Sequence, residues 1–175
     1  MKKLKNKDLQ RITLEEFKKA EKTSITIILD NVRSALNVGS IFRTSDAFLI
    51  EKIILCGITT TPPNKDIRKS ALGATDSVNW EFEKNTIDAI SKLKKNGYQI
   101  VAIEQANKST NLNEFNITKK SIAIVLGNEV NGVDENVINI CDDVIEIPQF
   151  GTKHSLNISV TAGIVIWQLW NKLNI

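Results

Sequence analysis

The sequence is short of the residues that build metal centres, disulfide frameworks and membrane spans. It has a single histidine, His154, and two cysteines, Cys56 and Cys141. No Cys/His spacing suggests zinc, so no metal is expected. Both cysteines sit in or beside apolar segments, where a free thiol behaves as a small hydrophobe. A reducing, cytoplasmic setting fits that usage. No apolar run is long enough to span a bilayer, and there is no signal-peptide core, so no membrane partner is expected. Neither G-x-G-x-x-G nor G-x-x-x-x-G-K-[ST] occurs, which counts against a dehydrogenase or a nucleotide hydrolase. Internal repeats and linkers are absent too. So is a strong charge of one sign: 23 Lys and Arg against 20 Asp and Glu leave a net charge of +3. With a pI near 8.8, nucleic acid is permitted as a partner but not demanded.

What is present is an ordinary globular composition over 175 residues, 42% apolar and 25% charged, enough for one domain with a full core. Residues 1–23 read as a short basic and helical extension, and 24–175 as the main domain. Lys2, Lys3, Lys5 and Lys7 make a solvated tail. Thr13 to Glu16 has capping-box spacing and opens a helix to about Glu21. Strands are expected at 25–29, 52–56, 98–104, 122–126 and 144–147, and Val78, Trp80 and Phe82 alternate as in a half-buried strand. Helices are expected from about Asn37 to Phe48, over 66–72, from a cap at Asn85 or Thr86 to Gly97, and from Ser155 to Leu173. A polar connection with one helical or extended turn fills 108–120. Strands alternating with helices argue a parallel α/β sheet. In the last helix Leu156, Val160, Ile164 and Trp167 follow a helical period, and Ile158, Val165, Ile166 and Leu169 widen the stripe. A stripe wider than one core needs suggests a second contact surface.

The stretch 121–167 organises the rest. Ile122 to Leu126 is a buried-strand pattern that stops at Gly127. Val144 to Ile147 stops as sharply at Pro148. Gly127, Gly132 and Gly151, taken singly, are ordinary turn residues. Two strand ends that both feed polar, glycine-bearing loops are where ligands sit in open α/β sheets. Near Asn37 the first turn of a helix offers free amides as an anion site, flanked by Arg33 and Arg43.

Three segments, LGNEVNG (126–132), IPQFGTKHSLNISVTAGI (147–164) and NVRSALNVGSIFRTSDAF (31–48), resemble the signature motifs of the SPOUT methyltransferases. They are most similar to those of the TrmH (SpoU) family of RNA ribose 2′-O-methyltransferases. The resemblance implies an α/β-knot fold whose C-terminal segment forms a trefoil knot, against the general rule that chains do not thread their own loops. It implies a homodimer through the last helix, S-adenosylmethionine as cofactor, and tRNA or rRNA as substrate, with tRNA favoured. Members often carry a separate N-terminal RNA-binding domain, for which the stretch before Ile25 is too short. By match to the motifs, Asn37, Arg43, Glu129, Ser155 and Asn157 are the catalytic candidates. Glu104, Gly127, Ile147, Pro148, Gly151, Ser155 and Leu156 are the cofactor candidates. Arg33, Arg43, Arg68 and Lys69 are the candidate RNA contacts. Ser155 has a structural alternative as a helix N-cap. The family assigns the arginine matching Arg43 to activation of the ribose hydroxyl. A guanidinium is also suited to stabilising the developing alkoxide or binding the neighbouring phosphate. His154 occupies a position that is not catalytic in the family, so it is expected to meet substrate or solvent. Two further readings are an inactive RNA-binding relative, expected to lack some of these matches, and an unrelated nucleotide-binding α/β protein.

Overall fold

The computed structural model describes residues 1–5 and 8–173; Lys7 of the basic tail and the last two residues lie outside them. Helix α1 (Leu14–Lys19) opens with the expected capping box. Thr13 Oγ1 accepts from the Glu16 amide at 3.2 Å, and the Thr13 amide donates to the Glu16 carboxylate at 2.7 Å. The helix stops at Lys19, before the expected Glu21, and its Phe17 inserts into the core.

Strands β1 (Thr23–Asp30), β2 (Ile50–Cys56), β3 (Trp80–Glu83), β4 (Gln99–Ile103), β5 (Thr110–Asn111), β6 (Ile122–Leu126) and β7 (Asp143–Glu146) form one sheet in the order β3-β2-β1-β6-β4-β7-β5. Every pairing is parallel. Parallel neighbours need crossover connections, and these bring cover to both faces. That is why the inner strands are largely apolar: all five residues of β4 and of β6 are buried, with Gln99 the one polar side chain among them. On one face Ile27, Leu29 and Ile124 pack with α2 (Ala35–Ala47), α3 (Lys65–Ala71) and α7 (Ile158–Leu173). On the other Ile28, Ala102 and Val125 pack with α5 (Thr86–Lys95) and α6 (Glu135–Ile138). Among the described residues no helix is long and apolar enough to cross a membrane.

Two expectations need correction, and one open alternative is decided. The half-buried strand through Val78, Trp80 and Phe82 is a sheet-edge strand. Val78 is buried ahead of it at the end of a short helix, α4 (Ala74–Ser77), while Trp80 and Phe82 are 36% and 50% exposed because β3 has a neighbour on one side only. The extended alternative for the turn in 108–120 is the one found, as the two-residue strand β5, which extends the sheet beyond β7. The last helix begins at Ile158, not Ser155. Asn157 takes the capping place instead: its Oδ1 accepts from the Ser159 amide at 2.9 Å.

Helix α7 has two apolar faces. Ile158, Ala162, Val165, Ile166 and Leu169 are buried against the sheet and α2. Val160, Ile164 and Trp167, spaced at i, i+4 and i+7, remain 50%, 38% and 52% exposed. Trp167 also lies 5.8 Å from the Phe48 ring at the end of α2.

Candidate active site

β1, β6, β4 and β7 are consecutive in the sheet, so their C-terminal ends lie in a row. A cavity of about 690 Å³ opens along that row, lined by the chain after β6, the chain after β7 and the residues that follow β4. It falls where open parallel sheets place ligands, and its size is that of a small-molecule site.

The turn after β6 is tightly fixed. Asn128 and Gly132 exchange backbone hydrogen bonds, each of 2.9 Å. A Cβ on Gly127 would lie 2.2 Å from the Gly132 carbonyl carbon and from the Val133 amide nitrogen, so no side chain fits there. Gly132 has a left-handed φ of +69° and faces the Glu104 carboxylate. Glu104 in turn accepts from the Val133 amide at 3.0 Å and the Gln105 amide at 2.9 Å. Asn128 ties the turn to β1 by donating from Nδ2 to the Asn31 carbonyl at 2.8 Å, and its Oδ1 accepts from the Val130 and Asn131 amides.

That rigid turn aims Glu129 at the start of α2. Its carboxylate accepts from the Arg33 amide at 2.9 Å, the Ser34 amide at 3.0 Å and Asn37 Nδ2 at 3.1 Å. Asn37 Oδ1 then accepts from Asn157 Nδ2 at 3.1 Å, which commits each end of the Asn37 amide to one partner. Burial pushes the Glu129 carboxyl up, but the donors from Arg33, Ser34 and Asn37 outweigh it and hold its pKa below the ordinary carboxylate value. The anion site expected at this helix start is therefore already taken: Glu129 occupies the Arg33 and Ser34 amides, and the Ser34 hydroxyl accepts from the Asn37 amide.

The loop after β7 is built differently. Residues 151–157 are all exposed. Among the described residues, the side-chain hydrogen bond recorded for the run from Ile147 to Leu156 is from Gln105 Nε2 to the His154 carbonyl, at 2.7 Å.

Of the catalytic candidates, Asn37, Glu129 and Asn157 join in one hydrogen-bonded chain, and Ser155 lines the cavity beside them. Arg43 stands apart: it is exposed on α2, does not line the cavity, and its side chain makes no hydrogen bond or ion pair among the described residues. Of the cofactor candidates, Glu104, Gly127, Ile147, Ser155 and Leu156 line the cavity, whereas Pro148 and Gly151 do not. Arg33, Arg68 and Lys69 present exposed side chains. Ser70 Oγ, next to Lys69, donates to the Leu36 carbonyl at 2.9 Å, which sets the end of α3 against the start of α2. Sequence reasoning passed over Asn128, Gln105, Glu146 and Gln149 as site residues, although all four line the cavity. Asn128 lies inside the LGNEVNG segment, so its signal was available; the other three carry none beyond following strand ends.

Three carboxylates, Glu104, Glu129 and Glu146, line the cavity, and no lysine or arginine among the described residues does. Such a lining favours a cation and disfavours phosphate. Burial pushes the thiols of Cys56 and Cys141 up to about 12, so both are unreactive at neutral pH.

Known proteins agree with this architecture. The profile of the SpoU rRNA Methylase family matches residues 24–167. A Borreliella burgdorferi protein named an uncharacterized tRNA/rRNA methyltransferase is 33% identical over 173 residues, 99% of this chain and 74% of that protein. The crystal structure of the A. aeolicus TrmH/SpoU tRNA modifying enzyme superposes with a TM-score of 0.81 at 29% identity, covering 91% of this chain and 80% of that one. The AdoMet-bound rRNA methyltransferase from Sinorhizobium meliloti gives 0.82 at 27% identity, and this chain spans 61% of its length. The match of profile, sequence and fold over the same segments that build the cavity places this chain in the SpoU (TrmH) methylase family.

Proposed function

We propose that this protein transfers a methyl group from S-adenosylmethionine to a ribose 2′-hydroxyl of RNA. The observation that carries the reading is the acidic cavity at the sheet edge, reached on one side by the chain of hydrogen bonds from Glu129 through Asn37 to Asn157. S-adenosylmethionine is a cation without phosphate, which fits carboxylates at 104, 129 and 146 and the lack of a lining Lys or Arg. When bound it supplies a sulfonium methyl; the O–CH₃ bond forms as the S–CH₃ bond breaks, giving S-adenosylhomocysteine and a proton.

The residues of the chain supply position and charge. Glu104, Gly127, Ile147, Ser155 and Leu156 are the proposed cofactor contacts, with Pro148 and Gly151 in the loop that closes over it. Asn37 and Asn157, each fixed by the other, orient the ribose; positioning of this kind accounts for much of the acceleration in group transfer. A guanidinium is a donor without acceptor capacity. Arg43, exposed outside the cavity, therefore serves as the cation for the phosphate adjacent to the ribose, not as the base. Arg33, Arg68 and Lys69 face the RNA backbone. The likeness to a tRNA modifying enzyme over 80% of that enzyme's length supports tRNA as the substrate. Family membership supports the trefoil knot, with the chain after β7 as the threaded segment, and residues 24–175 as the catalytic domain.

The exposed face of α7, with Val160, Ile164 and Trp167, supports a homodimer, because a stripe of large apolar side chains on one helix face marks an interaction surface. Ile164→Asp is expected to shift the gel-filtration peak from dimer to monomer; an unchanged elution volume would remove α7 from the interface.

The cofactor assignment is tested by calorimetric titration of the purified protein with S-adenosylmethionine, ATP and NAD. Micromolar binding of the first alone is expected. Equal or tighter binding of ATP would contradict the reading of the acidic cavity. Labelling of rRNA with tRNA left untouched would reverse the substrate preference.

A further inference from the structure

One feature at the rim of the cavity has no part in the chemistry above. Gln149 and His154 both line the cavity, and the four residues between them do not. Phe150, next to Gln149, is 96% exposed. It is followed by Lys153 and by His154, both exposed. On the turn after β6, Val130 lines the same cavity and is 73% exposed. Two exposed apolar side chains therefore lie on the two loops that border the cavity, Val130 in its lining and Phe150 beside the lining residue Gln149, while the lining itself carries carboxylates.

This arrangement separates the parts of a nucleotide. Phosphates are repelled by Glu104, Glu129 and Glu146 and find cations outside the cavity. A nucleobase is uncharged and flat, and a phenyl ring without a polar handle is suited to one of its faces. Enzymes that act on single nucleotides commonly hold a base by stacking it between aromatic and apolar side chains. The loop carrying Phe150 is weakly tied, by Gln105 to the His154 carbonyl, so the ring is free to adjust to the base.

We infer that Phe150 is a stacking platform for a nucleobase of the RNA substrate, with Val130 as the facing wall and Lys153 on the adjoining phosphate. The inference rests on the proposed RNA methyl transfer and adds a substrate-binding contact to it. Stacking tolerates any base, so Phe150 sets RNA affinity and not base identity.

The test compares wild type with Phe150→Ala, Phe150→Leu and Phe150→Trp. The probe is a pool of unmodified tRNA and rRNA transcripts, with methyl transfer, S-adenosylmethionine affinity and elution volume all measured. Phe150→Ala is expected to raise KM for the RNA about 5- to 150-fold, the range for loss of a base–aromatic stack. Cofactor affinity and elution volume stay at wild-type values. Phe150→Trp keeps a low KM, and Phe150→Leu behaves as alanine does, because leucine restores apolar bulk but no ring. An unchanged KM in Phe150→Ala, or full rescue by leucine, overturns the stacking inference. So does a loss of cofactor affinity, which would make Phe150 a cover for the cofactor, or a shift to monomer, which would make it an interface residue. If wild type methylates no RNA, the proposed function fails and the stacking role with it. If wild type methylates RNA and Phe150→Ala does so with the same KM, only the stacking role fails.

Discussion

The turn after β6 and the loop after β7 leave the sheet on either side of β4 and are built in opposite ways. The first is held by reciprocal backbone bonds, by Asn128 on β1 and by Glu104 on the Val133 amide. The second is exposed from 151 to 157, with Gln105 on the His154 carbonyl as its tie. Both are rich in polar residues and both contain glycine. In the first, glycine is a steric necessity; in the second, a Cβ on Gly151 would meet nothing within 4 Å. A fixed turn suits a part of the site that must not move, the wall under Glu129. The adaptable loop lines the cavity at Ile147, Ser155 and Leu156 and leaves Phe150 exposed beside it, which suits a part that must adjust to RNA.

The sharpest way to break this contrast is Gly127→Ala. A Cβ placed 2.2 Å from two backbone atoms forces the turn open, and overpacking of that kind costs about 1–3 kcal/mol. Loss of S-adenosylmethionine binding and a lower denaturant midpoint are expected; a variant with normal cofactor affinity would mean that the turn is not rigid.

Glu129→Gln comes next. Its carboxylate accepts three donors, two of them backbone amides, and an amide side chain cannot accept at both ends. Turnover should drop about 100-fold or more, with roughly 1 kcal/mol lost from stability. The pH dependence gives a second readout. The folded-state pKa lies below the ordinary value of 4.5, so the contribution is complete above 4.5 and is lost as pH falls through the folded value. The stability gap between wild type and Glu129→Gln should therefore close as pH falls below 4.5, and a gap constant down to acid pH would show that the ionised carboxylate is not what holds α2.

Asn157→Ala tests the junction of fixed turn and adaptable loop. It removes a bond to Asn37 and the cap on α7. About 1 kcal/mol of stability should go, as for other N-cap losses. The effect on kcat should exceed that on the KM for S-adenosylmethionine, because Asn37 then loses its orientation. Equal effects on both would place Asn157 on the cofactor. Gly151→Ala is the smallest change: stability within about 0.5 kcal/mol of wild type is expected, as for an unremarkable surface position.

The parallel sheet was legible because strands buried on both faces must be apolar throughout, as Ile122 to Leu126 is. The capping box at Thr13 and the helix cap at Asn85 followed from local chemistry. Edge position was not legible: Trp80 and Phe82 alternate as in a half-buried strand, and only the sheet order shows that β3 lies at the edge. The start of α7 was misplaced because Ser155 and Asn157 are both good caps, and which one serves depends on the bond from Asn157 to Asn37, 120 residues away. The motifs pointed to Asn37, Glu129 and Asn157 separately. That one carboxylate occupies the very amides expected to hold an anion is a tertiary fact, with no trace in residue spacing.

The most direct experiment is transfer of labelled methyl from S-adenosylmethionine to unmodified tRNA, followed by complete alkaline hydrolysis. Methylation of a ribose 2′-oxygen blocks cleavage at the neighbouring phosphodiester. Label confined to alkali-stable dinucleotides, and absent with Glu129→Gln, is the predicted result. Label in mononucleotides would assign the methyl to a base, and the ribose would then not be what Asn37 and Asn157 hold.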